Sequence, residues 1–167
     1  EGIQIERIDA AMTRFGWPMG PFSLLDMVGI DVGFKVAGQL ATHYGDRMQV
    51  APLFEFIGEN KELLGKKSGR GFYLYSGKTP SLNPEINTAL RKVRDEHSSP
   101  GISYTDEEIQ HRLMLPMALE AQRALQEGIA ESPEDVDIAL VLGTGFPPFK
   151  GGLLKWVEAV GADVLRD

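Results

Sequence analysis

Two glycine-rich stretches of this chain have the composition of an anion-binding loop. Residues 16–22, Gly-Trp-Pro-Met-Gly-Pro-Phe, lie directly before a predicted helix, and free N–H groups at a helix N-terminus attract anions. Gly69-Arg70-Gly71 is similar to half of a phosphate loop. It lacks both the Gly-Lys-Ser/Thr ending of a P-loop and the third glycine of a dinucleotide fingerprint, and residues 143–145 lack that third glycine as well. We therefore expect no cofactor-binding residue in this chain, and we interpret residues 16–22 mainly as a stiff turn between helices.

The acid–base and metal-ligating residues form no recognisable catalytic pattern. Two histidines lie near predicted helix ends, where the helix dipole favours an imidazolium, and the third lies on the polar side of its helix. These are His43, His97 and His111. None has a partner at metal-ligand spacing, and the chain has no cysteine. The carboxylates of residues 131–137 are better explained as charges at a helix start. The sequence therefore predicts no catalytic residue and no metal site.

Two stretches of the chain look like copies of one motif. They span residues 1–22 and residues 127–153. In both, Glu-Gly-Ile leads to an aspartate (Asp9 or Asp137), then to an apolar helical stretch and then to Gly-aromatic-Pro. The two aspartates are 128 residues apart, and the prolines of the two Gly-aromatic-Pro motifs are 129 apart. Because these separations agree to within one residue, we infer an internal duplication.

The two copies differ in what stands before them. The second is preceded by a helix-like segment, residues 105–126, and the first has no such segment before it. The chain also starts at Glu1 rather than at a methionine. We therefore expect a piece of a longer polypeptide that is cut at a helix end.

Apolar spacing and helix stop signals predict a mostly helical chain. The predicted helices span residues 5–15, 22–43, 52–60, 84–97, 105–126, 132–143 and 153–160. A break near Gly29 is the alternative for the second of these helices. Residues 70–77 are aromatic and bounded by glycines, which predicts a short extended or hairpin segment, and residues 79–83 are predicted to be a linker.

The helix over residues 105–126 has the clearest local signals. Thr105-Asp106-Glu107-Glu108 is a capping box. Pro116 is expected to kink the helix, because proline removes one backbone hydrogen bond. The predicted apolar stripe consists of Ile109, Leu113, Met117, Ala121, Ala124 and Leu125.

Composition and charge limit the possible partners. The chain has 167 residues, of which 43% are hydrophobic and 25% charged, as is ordinary for a globular protein. The net charge of −7 and the short basic cluster at residues 66–70 argue against a nucleic-acid partner. No apolar run approaches the roughly 20 residues that span a bilayer, so we expect no membrane span.

Together, these motifs resemble the C-terminal part of the 3-hydroxyacyl-CoA dehydrogenase family. The residues that carry the resemblance are 16–22, Asp26, 28–31 and 65–73, although Trp17 stands where Phe or Tyr is common. The second copy, ending in residues 145–152, is similar to the second helical repeat in the multifunctional alpha-subunit of fatty acid oxidation complexes. The resemblance covers essentially the whole chain.

The resemblance implies an all-α fold of two related helical repeats, similar to the C-terminal domain of 6-phosphogluconate dehydrogenase, with one short hairpin-like segment. The first repeat is expected over residues 1–97, without its first helix, and the second over residues 98–167. A 6-phosphogluconate- or hydroxyisobutyrate-type dehydrogenase tail would share this architecture, but the duplicated Gly-aromatic-Pro motif argues against it.

In that family an NAD-binding Rossmann domain precedes the repeats and carries a catalytic His–Glu pair, which no position here matches. The resemblance therefore implies a fragment of an NAD-dependent oxidoreductase of fatty-acid β-oxidation whose NAD is bound outside this fragment. It also implies packing under the Rossmann domain, a share of the acyl-CoA cleft, a homodimer or thiolase subunit as partner, and a cytoplasmic location. The alternative is a non-catalytic helical binding or assembly module that reuses the fold.

By resemblance, nine residues are expected to face the substrate cleft or the domain junction. They are Pro18, Gly20, Pro21, Phe22, Asp26, Gly69, Gly71, Phe72 and Tyr73.

Overall fold

A computed structural model describes residues 3–58, 60–96 and 103–161 of the chain. Within those ranges the α-helices are α1 (Ile5–Phe15), α2 (Pro21–Val28), α3 (Ile30–Tyr44), α4 (Pro52–Gly58), α5 (Pro84–Glu96), α6 (Asp106–Gln126), α7 (Pro133–Thr144) and α8 (Leu153–Val160). Two short strands, β1 (Tyr73–Leu74) and β2 (Ser81–Leu82), pair antiparallel, with Tyr73 opposite Leu82. The predicted all-α class with one hairpin is confirmed. Among the described helices, none is both long and apolar enough to cross a membrane.

The predicted single helix over residues 22–43 is wrong, and its alternative, a break near Gly29, is correct. Gly29 has a φ of 108°, which a helix cannot contain and which L-residues with a side chain rarely adopt. The other predicted helices are found, with ends that differ by a few residues at most. His97 and most of the predicted loop over residues 98–103 lie outside the described residues.

The hairpin is placed differently from the prediction. Only one of its strands lies within residues 70–77, and the second lies at Ser81–Leu82, inside the predicted linker. The chain around β1 turns tightly, because the Gly71 N–H donates to the Tyr73 carbonyl (2.9 Å) and the Tyr75 N–H to the Gly69 carbonyl (2.9 Å). Because these turns use the residues on both sides of β1, residues 70–77 are too few to form a second strand as well.

Helix α6 begins with the predicted capping box. The Glu108 N–H donates to Thr105 Oγ1 (3.2 Å), and the Thr105 N–H donates to the Glu108 carboxylate (2.6 Å). The helix continues through Pro116 to Gln126. Its buried residues are Ile109, Met114, Ala118 and Ala121, and the predicted stripe residue Leu113 is exposed. The predicted stripe is partly wrong because its residues were placed mostly four positions apart. Four residues rotate by about 40° more than one full helical turn, so successive members of the stripe turn away from the buried face.

The chain divides into two compact units. The first consists of Glu1–Asp9 with Pro21–Ser103, and the second of Ala10–Gly20 with Tyr104–Asp167, so α1 contributes to both. The core of the first unit contains Ile5, Ile30, Ile57, Leu63, Phe72, Tyr73 and Ile86. The core of the second contains Met12, Phe15, Met114, Ala118, Ala121, Phe146, Leu153 and Trp156. These compact units are defined by contacts in the structure, whereas the predicted repeats are defined by similarity of sequence. The compact units therefore do not test the repeats, and the repeats over residues 1–97 and 98–167 stay a prediction.

Candidate functional site

The aspartate of the first motif copy joins α1 to the start of α2. Asp9 is buried, and its Oδ1 accepts a hydrogen bond from the Phe22 N–H (2.9 Å). Its Oδ2 accepts from the Ser23 N–H (3.0 Å), the Ser23 hydroxyl (2.7 Å) and the Tyr73 hydroxyl (2.9 Å). A carboxylate in the middle of one helix thus caps the N-terminus of the next, where unpaired N–H groups and the helix dipole favour negative charge.

The aspartate of the second copy makes the same connection between α7 and α8. Oδ1 of Asp137 accepts from the Leu154 N–H (2.7 Å), and its Oδ2 accepts from the Lys155 N–H (3.1 Å). The duplication inferred from sequence is therefore also present in the hydrogen bonds. Leu154 is the counterpart of Phe22, and α8 is the counterpart of α2.

A second carboxylate joins α2 to the hairpin segment. Asp26 is fully buried, and its Oδ1 accepts from the Phe72 N–H (2.9 Å). Its Oδ2 accepts from the Tyr73 N–H (2.9 Å) and the Tyr75 hydroxyl (3.0 Å). Gly71 lies so close that a Cβ at this position would be 2.0 Å from the Asp26 Oδ1. The glycine is required because any side chain would occupy the place of the carboxylate.

The titration of these groups follows from their burial. Burial raises the pKa of Asp26, and the hydrogen bonds from Tyr73, Phe72 and Tyr75 oppose that rise. Burial, with the Asp9 carboxylate beside it, raises the pKa of the Tyr73 hydroxyl. Burial and the Asp26 carboxylate raise the pKa of Tyr75 in the same way. Both phenols therefore keep their protons at neutral pH and serve as hydrogen-bond donors rather than as acids or bases.

The residue that corresponds to Asp26 after the second motif copy is not a buried carboxylate. Asp26 follows Phe22 by four residues, and Glu158 follows Leu154 by four, so Glu158 is the counterpart. Glu158 is exposed and accepts a hydrogen bond from Lys155 Nζ (2.6 Å). Between these two positions, the connection to the hairpin segment is therefore made by Asp26 and not by Glu158.

The structure brings together five of the nine predicted cleft or junction residues: Phe22, Asp26, Gly71, Phe72 and Tyr73. The rings of Phe22 and Phe72 lie 4.8 Å apart between centroids. Gly69 is not bonded to the Asp9 or Asp26 carboxylate; its carbonyl accepts from the Tyr75 N–H (2.9 Å) instead. Pro18, which is exposed, and Gly20, which is buried, belong to the other compact unit.

Sequence reasoning missed four residues of these networks as site residues: Asp9, Tyr75, Asn83 and Asp137. The signal for the two aspartates was available, because they recur at the same place in both motif copies. Asn83 was recognisable only as a helix cap, which it is: it accepts from the Glu85 N–H (3.0 Å). It also donates from Nδ2 to the Gly71 carbonyl (2.9 Å). No local signal identified Tyr75.

The Gly69–Tyr73 loop does not fit a nucleotide pyrophosphate. The N–H groups of Gly69 and Gly71 donate to backbone carbonyls, and those of Phe72 and Tyr73 donate to Asp26. The guanidinium of Arg70 pairs with Glu62 and Glu85. The donors that a phosphate would need are therefore already bonded. Among the described residues, no group of three or more His, Cys, Asp or Glu side chains is placed to bind a metal.

A groove of about 690 Å³ lies between α6 and α7 in the second unit. Its lining is mostly apolar and includes Met117, Ala121, Ala124, Val136 and Leu140. Glu120, Glu131 and Asp135 also line it, and these carboxylates disfavour a phosphate group there. None of the nine predicted cleft residues lines this groove.

The sequence model for the C-terminal domain of 3-hydroxyacyl-CoA dehydrogenase matches residues 1–75 and 109–167. With the helical fold and the duplicated aspartate contacts, this match defines the chain as a helical domain of a dehydrogenase. The chain belongs to the 3-hydroxyacyl-CoA dehydrogenase family, as the C-terminal domain.

Two relatives show how much of a longer protein the chain represents. It is 39% identical to the fatty acid oxidation complex subunit alpha of Shewanella sp. (strain MR-4), over 99% of this chain and 23% of the relative. It is 40% identical to the peroxisomal fatty acid beta-oxidation multifunctional protein AIM1 of Arabidopsis thaliana, over 96% of this chain and 23% of the relative. The chain thus spans under a quarter of the length of these relatives.

Two solved structures are similar to the fold. The dehydrogenase part of multifunctional enzyme 1 from C. elegans matches with a TM-score of 0.64 and 28% identity, covering 85% of this chain and 31% of that one. The 3-hydroxybutyryl-CoA dehydrogenase of Escherichia coli matches with a TM-score of 0.71 over 95% of this chain and 48% of that one. Its identity of 21% limits this second match to the fold.

Proposed function

We propose that this chain is the helical C-terminal part of an NAD-dependent 3-hydroxyacyl-CoA dehydrogenase of fatty-acid β-oxidation. The observation that carries the proposal is the family match, which covers parts of both motif copies. NAD binding and catalysis belong to another part of the protein. The chain's own contribution is to pack against that part and to form one side of the acyl-CoA cleft.

The packing role is supported by large apolar side chains on the surface of the second unit. Ile138 and Leu142 on α7, together with Phe149 after it, are exposed. Exposed apolar side chains grouped along one element are typical of surfaces that contact another protein. We propose that the Rossmann domain, a second copy of the protein or a thiolase subunit covers them.

The cleft role is limited to residues that an acyl-CoA can reach. Asp26, Phe72 and Tyr73 are buried, so they support the cleft by packing. Pro18 is exposed and Phe22 is half-buried, so these two side chains are the candidates for direct contact. We propose that Pro18, whose side chain is apolar, lies against the acyl chain.

The first experiment is a calorimetric titration of this chain with NAD and, separately, with acetoacetyl-CoA. We expect no heat with NAD, and any heat with acetoacetyl-CoA would assign part of the cleft to these helices. The whole natural protein is expected to form NADH from a 3-hydroxyacyl-CoA. NAD binding by this chain would contradict the assignment, and an inactive whole protein would favour the alternative, a non-catalytic helical assembly module.

The cleft role is tested in the whole protein with Pro18→Ala. We expect KM for the acyl-CoA to rise while kcat stays unchanged, because loss of a contact that is equally strong in the ground state and the transition state weakens binding alone. Pro148→Ala, at an exposed proline directly after the Gly-aromatic-Pro residues of the second motif copy, is the matched control. Equal KM values in the two variants would show that Pro18 does not contact the substrate.

We also propose a cytoplasmic location, in keeping with the bacterial relatives. The plant relative is named as peroxisomal, so fractionation of the source cells with an antibody against this chain is the test.

A further inference from the structure

The exposed ring of Phe149 lies against the turn of the first motif copy. Phe149 is exposed by 76%, yet a Cβ at Gly16 would be only 2.6 Å from its Cζ. The same Cβ would be 2.9 Å from the Pro147 Cβ. Gly16 has a φ of 123°, so glycine is needed here for the backbone as well as for the space. The ring therefore occupies a place that only a glycine leaves open.

A lysine also holds the ring in position. The ammonium group of Lys150 lies 5.7 Å from the centroid of the Phe149 ring and 4.3 Å from that of the Phe15 ring. A cation within about 6 Å of an aromatic centroid is attracted to the ring. Phe15 belongs to the core of the second unit, so Lys150 connects the exposed ring to a buried one. Phe149 is thus a positioned side chain, although most of it faces solvent.

The ring lies close to the residue that we propose for contact with the acyl chain. Pro18 is exposed and follows Gly16 by two residues, which span at most about 7 Å. Its Cγ would be 3.5 Å from a Cβ at Gly145, so Pro18 also contacts the turn of the second copy. The turns of the two motif copies therefore pack against each other. Pro18 and Phe149 are exposed apolar side chains on either side of this contact.

The other exposed apolar side chains of this region belong to a different surface. Pro148 lines a groove of about 270 Å³ together with Ile138 and Leu142 of α7. Phe149 does not line that groove. Its neighbour across the turn is Gly16. The role of Phe149 is therefore not determined by the packing surface on α7.

We propose that Phe149 is a specificity-determining residue that contacts the outer carbons of long acyl chains. The inference rests on the proposed function, in which Pro18 lies against the acyl chain. The carbon that reacts bears the hydroxyl group, and a 3-hydroxybutyryl group has a single methyl group beyond it. Such a short chain cannot reach both Pro18 and Phe149, whereas a long chain can.

The chemistry of the ring fits an alkyl chain. A phenyl ring with two side-chain torsions offers a large contact area at a low cost in conformational entropy. An alkyl chain has no polar group that must be satisfied on burial, so contact with carbon atoms alone is favourable. Phe149 therefore adds affinity in proportion to the length of chain that reaches it, and it adds none for the shortest substrate.

The test compares two substrates in the whole natural protein. We measure kcat/KM for 3-hydroxybutyryl-CoA and for 3-hydroxyhexadecanoyl-CoA. Phe149→Ala is expected to lower the value for the long substrate by at least roughly tenfold and to leave that for the short substrate unchanged, because small differences in apolar contact change discrimination by about 10- to 200-fold. Phe149→Leu keeps an apolar side chain against Gly16 and is expected to give an intermediate ratio.

Ile129→Ala is the matched control, because Ile129 is exposed by 70% and lies in the loop after α6. It is expected to leave the ratio of the two values unchanged. An unchanged ratio in Phe149→Ala, or equal falls for both substrates, would overturn the inference, because Phe149 would then serve only in packing. Failure of the proposed function is a different result, since the wild-type protein would then oxidise neither substrate.

Discussion

Replacement of Asp26 by asparagine tests whether the buried carboxylate holds the hairpin segment on α2. The carboxylate accepts three hydrogen bonds, from the N–H groups of Phe72 and Tyr73 and from the hydroxyl of Tyr75. An asparagine keeps one acceptor oxygen, and its amide N–H₂ group must face at least one of the donors. At least one hydrogen bond to a charged acceptor is then replaced by a contact between two donors.

The size of the effect follows from these contacts. Loss of a hydrogen bond to a charged group costs about 1.5–3 kcal/mol. The neutral amide avoids part of the desolvation cost that raises the pKa of Asp26. We therefore expect Asp26→Asn to lower the free energy of unfolding by about 2 kcal/mol. For a urea m-value of about 1–3 kcal/mol/M, the midpoint falls by roughly 1 M.

The assay is urea unfolding followed by circular dichroism, with amide hydrogen exchange at Phe72 and Tyr73. The control is Glu158→Gln, the equivalent change at the exposed counterpart, which is expected to leave the midpoint and these amides unchanged. Unchanged protection of both amides in Asp26→Asn would refute the reasoning, because the two N–H groups would then not depend on the carboxylate.

The pH dependence of the same variant has a defined sign. Because the folded-state pKa of Asp26 is raised, this group favours folding most below its unfolded pKa of about 3.9. That contribution is lost as the pH rises through the folded pKa. The stability deficit of Asp26→Asn relative to wild type should therefore shrink as the pH rises above about 3.9, the unfolded pKa of aspartate. A deficit that grows over this range would mean that the hydrogen bonds outweigh burial.

Three further predictions concern packing and capping, each measured as a urea midpoint. Gly71→Ala should lower the urea midpoint far more than Gly69→Ala, because only the alanine at position 71 places a Cβ against Asp26. The alanine at position 69 has open space around it, and its only cost is the left-handed backbone, about 1 kcal/mol. Similar midpoints would contradict this close approach. Asp137→Ala should cost about 1–2 kcal/mol through the lost cap of α8, and an unchanged midpoint would argue against capping. The indole N–H of Trp17 is buried without an acceptor among the described residues. The free energy of unfolding of Trp17→Phe should therefore stay within about 1 kcal/mol of wild type, whereas Trp17→Ala should lower it by about 3–5 kcal/mol. Equal losses would mean that the indole N–H is bonded.

Helix positions could be predicted where the signals are local. The capping box of α6 and the Asn83-Pro84 start of α5 are formed by residues within three positions of each other, so their spacing in the sequence determines them. The end of α2 could not be predicted in this way. Glycine lowers helix propensity by about the same amount whether a helix bends or stops, so propensity alone does not distinguish the two outcomes at Gly29.

The site was less predictable because its hydrogen bonds connect distant residues. Asp26 bonds to N–H groups 46 and 47 residues away, and no local pattern relates them. The family resemblance singled out Asp26, Gly71 and Phe72 but not what they do. The role of Asp9 could have been inferred only by asking why an aspartate recurs in the middle of two helices.

The contacts of Asp9 and Asp137 have a consequence for how such copies diverge. Both carboxylates bind main-chain N–H groups, which every amino acid except proline provides. The receiving positions therefore tolerate almost any substitution, and here Phe22 and Ser23 correspond to Leu154 and Lys155. The loop between carboxylate and receiver can also change length, from 13 residues of separation to 17. Ancestry in this kind of domain is thus recorded more durably in bonding partners than in side-chain identity.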